Sequence, residues 1–152
     1  MLKNRSFLLI TIILLFYGNS FAQVDTLLFD GLKRTYHVHL PTSYDGSSPT
    51  PLVIAIHPLY GSAGSFETMT GFSNKANTEH FIVVYPNGTG SPASWNAEGC
   101  CSPATTNRIN DVGFISALID TLTRRYNIDS DRIYAAGFSN GSMLAVNKLS
   151  CR

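Results

Sequence analysis

Charge is scarce in this chain. Only 14% of its 152 residues are Asp, Glu, Lys or Arg, and the signs nearly cancel, 11 basic against 10 acidic. That balance excludes the basic face of a nucleic-acid binder and the charge excess of a disordered chain. Cysteine occurs three times, at Cys100, Cys101 and Cys151, with no CxxC pair or nearby histidine pair, so the usual zinc spacings are absent. No internal repeat is visible. The polar stretches SYDGSSPTP and NGTGSPAS are short enough to be loops within one domain.

A long apolar run is also missing. The best candidate, Phe7 to Tyr17, is about half of the ~20 residues a spanning helix needs, which argues against a stable membrane anchor. It follows Lys3 and Arg5 and precedes GNSFAQ, with small residues at Ser20 and Ala22. Positive start, apolar centre and small-residue end predict a signal peptide over residues 1–22, cut between Ala22 and Gln23. No cysteine sits there to take a lipid. The product is expected to be secreted or periplasmic, where disulfides are favoured. The helix after Ser139 would carry Cys151 about three turns on, so the expected bridge joins Cys151 to Cys100 or Cys101 rather than the adjacent pair to each other.

The patterns that are present alternate between strand and helix. In KRTYHVHLP, Tyr36, Val38 and Leu40 face one way and Arg34, His37 and His39 read as polar neighbours, which predicts a strand with one face in water. PLVIAIHP, FIVVYP and RIYAAGFS are short continuous apolar runs, as strands buried on both faces should be. DVGFISALIDTLTRRY places Val112, Ile115, Leu118, Ile119, Leu122 and Tyr126 on one helical face, with Asn110 or Asp111 to cap it and Arg124 and Arg125 at its negative end. A weaker helix is expected over SFETMTGFSNKANTE. Buried strands alternating with helices predict an α/β fold with a mostly parallel sheet and flanking helices.

Chemistry in such sheets sits at the C-terminal strand ends, here HPLYGS, YPNGTG and GFSNG. In the last, Ser139 lies between Gly137 and Gly141, after a buried strand and before a helix. That is the pattern of a nucleophile elbow: the serine occupies a tight turn, and bulkier neighbours would collide with it. The backbone N–H of Asn140, at the helix start, is the first expected oxyanion donor. The second comes from the loop after an earlier strand; Leu59 is expected, with Tyr60 next, since Pro58 has no N–H. His57 is read as orienting that loop and not as the base.

Together RTYHVHLP, PLVIAIHPLYGS, FIVVYPNGTGSPASWNAEGCC, NDVGFISALIDTL and IDSDRIYAAGFSNGSM resemble the secreted polyhydroxybutyrate depolymerase-like and feruloyl esterase-like α/β-hydrolases, over residues 30–151. His57-Pro58 stands where that family has His-Gly, and Asn110-Asp111 where it has Asp-Asp. The resemblance implies the α/β-hydrolase fold, truncated after the nucleophile helix. In that fold the catalytic acid and then the histidine follow the serine, whereas His37, His39, His57 and His80 all precede Ser139. The domain expectation is therefore a signal peptide, then the N-terminal part of a catalytic domain over 23–152.

The implied activity is serine carboxylic-ester hydrolysis without metal or organic cofactor. The partner is an ester substrate, on a polysaccharide or a polyester, and no nucleic acid. The chain by itself is expected to be inactive. A serine peptidase of the same fold, or a binding protein that lost the triad, are the alternatives. Trp95, in the loop after FIVVYP, is either a platform for the substrate or a pin for the loop. Asp111 is read as a helix cap. Asn87 and Asn140 match the glycosylation pattern by chance.

Overall fold

The computed structural model describes residues 23–97 and 99–146. Residues 1–22, expected to be a signal peptide, and Cys151 lie outside the described residues. Five strands form one sheet: β1 (Gln23–Phe29), β2 (Leu32–His39), β3 (Thr50–Ile56), β4 (Ile82–Pro86) and β5 (Ile128–Gly137). Their spatial order is β1-β2-β4-β3-β5. The pairs β1–β2 and β2–β4 are antiparallel; β4–β3 and β3–β5 are parallel. The helices are α1 (Ala63–Thr70), α2 (Phe72–Glu79), α3 (Asp111–Arg125) and α4 (Asn140–Leu144). None of the described helices is long and apolar enough to cross a membrane.

β3 and β4 are central because their sequences leave them no wet face. One side of the sheet offers Leu52, Ile54, Ile56, Ile82 and Val84 to Phe114, Ile115, Leu118 and Leu122 of α3. The other offers Ala55, Val83 and Tyr85 to Ala63 and Phe66 of α1 and Ala76 of α2. Each fully buried Leu, Ile or Phe contributes roughly 1.5–3 kcal/mol relative to exposure. α3 is capped by Asn110, whose side chain accepts the Gly113 N–H at 3.0 Å. Its buried stripe centres on Phe114 and Ile115, with Val112 and Ile119 only partly covered.

Three local features differ from the sequence expectations. β1 was not anticipated; it pairs with β2 through the two-residue turn Asp30-Gly31, both at positive φ (50° and 73°), the geometry a tight hairpin requires. The helix expected over 65–79 is two helices, divided at Gly71 in the left-handed region. β2 is more covered than a strand with one face in water: beyond the exposed Lys33, α1 and α2 pack on that face, where His37 meets Glu67 at 3.3 Å and His39 meets Asn77 at 3.0 Å. Arg34 shares the opposite, core-facing side with Tyr36 and Val38 by strand parity and is buried with them. β5 is an edge of the sheet among the described residues, and Tyr134 is 55% exposed.

Candidate active site

The Ile56–Gly137 pairing brings the C-terminal ends of β3 and β5 side by side. The loops carrying Leu59 and Ser139 therefore leave the sheet from one edge. Phe138 N–H extends the pairing by donating to Ile56 O at 3.3 Å. The next residue breaks it. Ser139 has φ 52° and ψ −119°, a conformation L side chains avoid, and its own carbonyl then accepts Met143 N–H at 3.0 Å to begin α4. The turn is tight enough to demand both glycines. A Cβ on Gly137 would stand 2.5 Å from the Gly141 carbonyl; one on Gly141 would overlap Ile56 O. Ser139 is exposed, and its hydroxyl has no partner among the described residues. Ser139 thus stands exposed in a strained turn between two glycines that leave no room for a side chain.

Asn140 is fully buried while its backbone opens the helix. Its side chain clamps the loop after β4: Oδ1 accepts Trp95 N–H at 2.8 Å and Nδ2 donates to Trp95 O at 3.1 Å. Trp95 is itself fully buried and donates Nε1–H to His57 O at 2.9 Å. Of the two roles expected for Trp95, platform or pin, its burial fits the pin. A side chain with no accessible surface cannot receive substrate, and the indole pins the β3 and β4 loops together instead. The amides of Asn140 and Asn87 are both committed to protein partners, so neither is available to a glycan.

His57 serves the loop that carries Leu59. Gly88 N–H donates to Nε2 at 2.9 Å, which makes that nitrogen the acceptor and places the proton on Nδ1, where it donates to Pro58 O at 2.7 Å. Burial pushes its pKa below the usual histidine value and keeps the ring neutral; the bond to Pro58 and the Asp111 charge oppose that shift more weakly. Tyr60 N–H is consumed by Ala93 O at 3.1 Å. The N–H groups of Leu59 and Asn140 donate to no protein acceptor among the described residues. Of the two loop residues expected to donate, Leu59 is therefore the one whose N–H is left uncommitted.

No histidine stands beside Ser139. His57 has both nitrogens engaged. His37 and His39 are tied to α1 and α2, and His80 meets Ser43 Oγ at 2.6 Å near the opposite end of the sheet. Asp111 is not the cap of α3, a role taken by Asn110. It is the first helical residue, buried, accepting Arg34 Nη2 at 2.7 Å and Asn96 N–H at 2.7 Å. Burial raises its pKa, against the opposing pull of those two donors. Arg34 in turn lies 3.9 Å over the Phe114 ring. This network braces the segment next to Trp95.

Cys100 and Cys101 are joined to each other; Cys151, the partner expected for one of them, lies outside the described residues. The two residues are neighbours in one loop, so the bridge forms without the approach of a distant helix. Among the described residues no cluster of three or more His, Cys, Asp or Glu could hold a metal ion.

No protein-family model matches the chain. It is 33% identical over 121 residues to feruloyl esterase B of Piromyces equi, a match that covers 78% of this chain and 22% of that protein. It is 30% identical over 120 residues to the bifunctional acetylxylan esterase/xylanase of Neocallimastix patriciarum, covering 79% and 16% respectively. The chain thus spans less than a quarter of the length of these two relatives. Among solved structures, an acetyl xylan esterase from Aspergillus awamori superposes with a TM-score of 0.66 at 20% identity, over 80% of this chain and 44% of that one. Sheet order, strained serine turn and these likenesses converge on one architecture: the chain has the α/β-hydrolase fold.

Proposed function

We propose that this chain is the nucleophile-bearing part of a secreted serine carboxylic-ester hydrolase. The observation that carries the reading is Ser139, held at φ 52° with a free hydroxyl beside two uncommitted backbone donors. In the proposed reaction Ser139 Oγ attacks the ester carbonyl. The N–H groups of Asn140 and Leu59 receive the developing oxyanion, each lowering the barrier by on the order of 3 kcal/mol. The alcohol leaves with a proton, and water releases the acid from the acyl-serine.

A serine hydroxyl is a weak nucleophile until a base takes its proton. With all four histidines engaged elsewhere, we assign the base and its acid to residues outside this chain, which on its own is inactive. The names of the relatives favour acetyl or feruloyl esters of a plant polysaccharide over a polyester. Residues 1–22 would export the protein and be removed after Ala22.

The test uses the protein isolated from its source. Release of acid from p-nitrophenyl acetate and methyl ferulate, with no cleavage of a p-nitroanilide, supports the esterase. Preference for the anilide indicates the peptidase, and failure to react with a fluorophosphonate indicates a binding protein.

A further inference from the structure

At the opposite end of the sheet from Ser139 lies a cavity of about 420 Å³, within the ~300–1,000 Å³ typical of small-molecule sites. It opens where the chain enters β3, beside the C-terminal end of α2 and the start of β5. Arg132 on its wall is separated from Ser139 by seven residues of extended chain, about 23 Å. The cavity takes no part in the elbow.

Its walls are rigid and of mixed character. Pro41, Pro49 and Tyr44 supply apolar surface. The prolines have fixed φ, and Tyr44 is held by accepting Asn127 N–H at 2.9 Å and by an edge contact with Tyr126. The polar groups have bonding capacity to spare. Asp45 uses Oδ1 to accept from Ser47, Glu79 uses Oε1 to accept from Lys75, and Arg132 uses Nε for Asp129 and Nη2 for Pro49 O. Asp45 Oδ2, Glu79 Oε2 and Arg132 Nη1 have no protein partner among the described residues.

These groups sort the ligand classes. Two carboxylates repel a phosphate, a nucleotide or an organic acid. A metal ion lacks a cluster of ligands there. A purely apolar molecule would strip water from three charged groups and return nothing. A polyhydroxylated ring satisfies all of them, because each hydroxyl both donates to a carboxylate and accepts from a guanidinium, while its C–H faces lie on proline and tyrosine. We propose that this cavity is an accessory binding site for a neutral saccharide. That the saccharide is a xylan-type chain rests on the proposed function. Such a site holds the enzyme on its polymer and raises the local concentration of ester groups.

The experiment titrates the full 152-residue chain with xylohexaose, which carries no ester, by calorimetry and by amide chemical-shift mapping. Saturable binding is expected, with shifts at Asp45, Glu79 and Arg132 and none at Leu59 or Asn140. Arg132→Ala and Glu79→Ala should each weaken binding at least fivefold. Both side chains lie in exposed ion pairs, and Arg132 adds one exposed bond to Pro49 O, so folding should survive, and Glu79→Gln provides a milder second variant. Absence of saturable binding, shifts confined to Leu59 and Asn140, or affinities unchanged in all three variants would overturn the proposal. Because xylohexaose has no ester, inactivity of Ser139 leaves this result untouched.

Discussion

The side-chain amide of Asn140 and the backbone of Trp95 close a two-bond ring, Trp95 N–H to Oδ1 at 2.8 Å and Nδ2 to Trp95 O at 3.1 Å. The residue whose backbone N–H is the proposed oxyanion donor is thereby fixed from the buried side, 45 residues away in sequence. Asn140→Ala would leave a buried N–H and a buried C=O unpaired. Each unmade bond costs about 1–3 kcal/mol, and denaturant unfolding should show a loss in that range or above. A loss under about 0.5 kcal/mol, the level of a surface substitution, would mean the ring does not form.

Strain at the elbow has a measurable sign. A non-glycine residue in such a backbone conformation costs of order 1–3 kcal/mol. Ser139→Gly should therefore stabilise the fold by about 1 kcal/mol while removing the nucleophile. Gly141→Ala should do the reverse, since its methyl would overlap Ile56 O. If both changes are neutral in a thermal melt, the turn is not strained.

His57 is the buried histidine whose shift bears on pH. Its folded pKa lies below the ordinary value of 6.5. A depressed base contributes stability above its unfolded pKa, and that contribution is lost as pH falls below about 6.5 towards the folded pKa. Stability should thus decline on mild acidification, and less steeply in His57→Asn. Nitrogen-detected NMR of the imidazole should show a neutral ring protonated on Nδ1 at pH 7. Titration at or above 6.5 would contradict the buried geometry.

Legibility of the sequence followed the range of the interactions involved. The strands β3 and β4 and the elbow are local patterns, a continuous β-branched run and a serine between two glycines, and each is readable from its own residues. The hairpin of β1 was local too: Asp30-Gly31 between apolar alternations is a strong turn signal that went unused. Arg34 was misplaced because a charged residue reads as solvent-facing. Its parity with Tyr36 pointed inward, but the partner that makes burial tolerable, Asp111, lies 77 residues away. The same distance problem hid the burial of Trp95, whose partners His57 and Asn140 come from two other strand ends.

The central claim is that Ser139 is a poised nucleophile lacking only a base. Imidazole in solution can supply one. The measurement is labelling of the 152-residue chain by a fluorophosphonate across a series of imidazole concentrations, with the modified residue located by peptide mapping. The account predicts negligible labelling without imidazole, a rate that climbs with its concentration, and the label on Ser139. A Ser139 that stays inert throughout, or a label that settles on another residue, would contradict it.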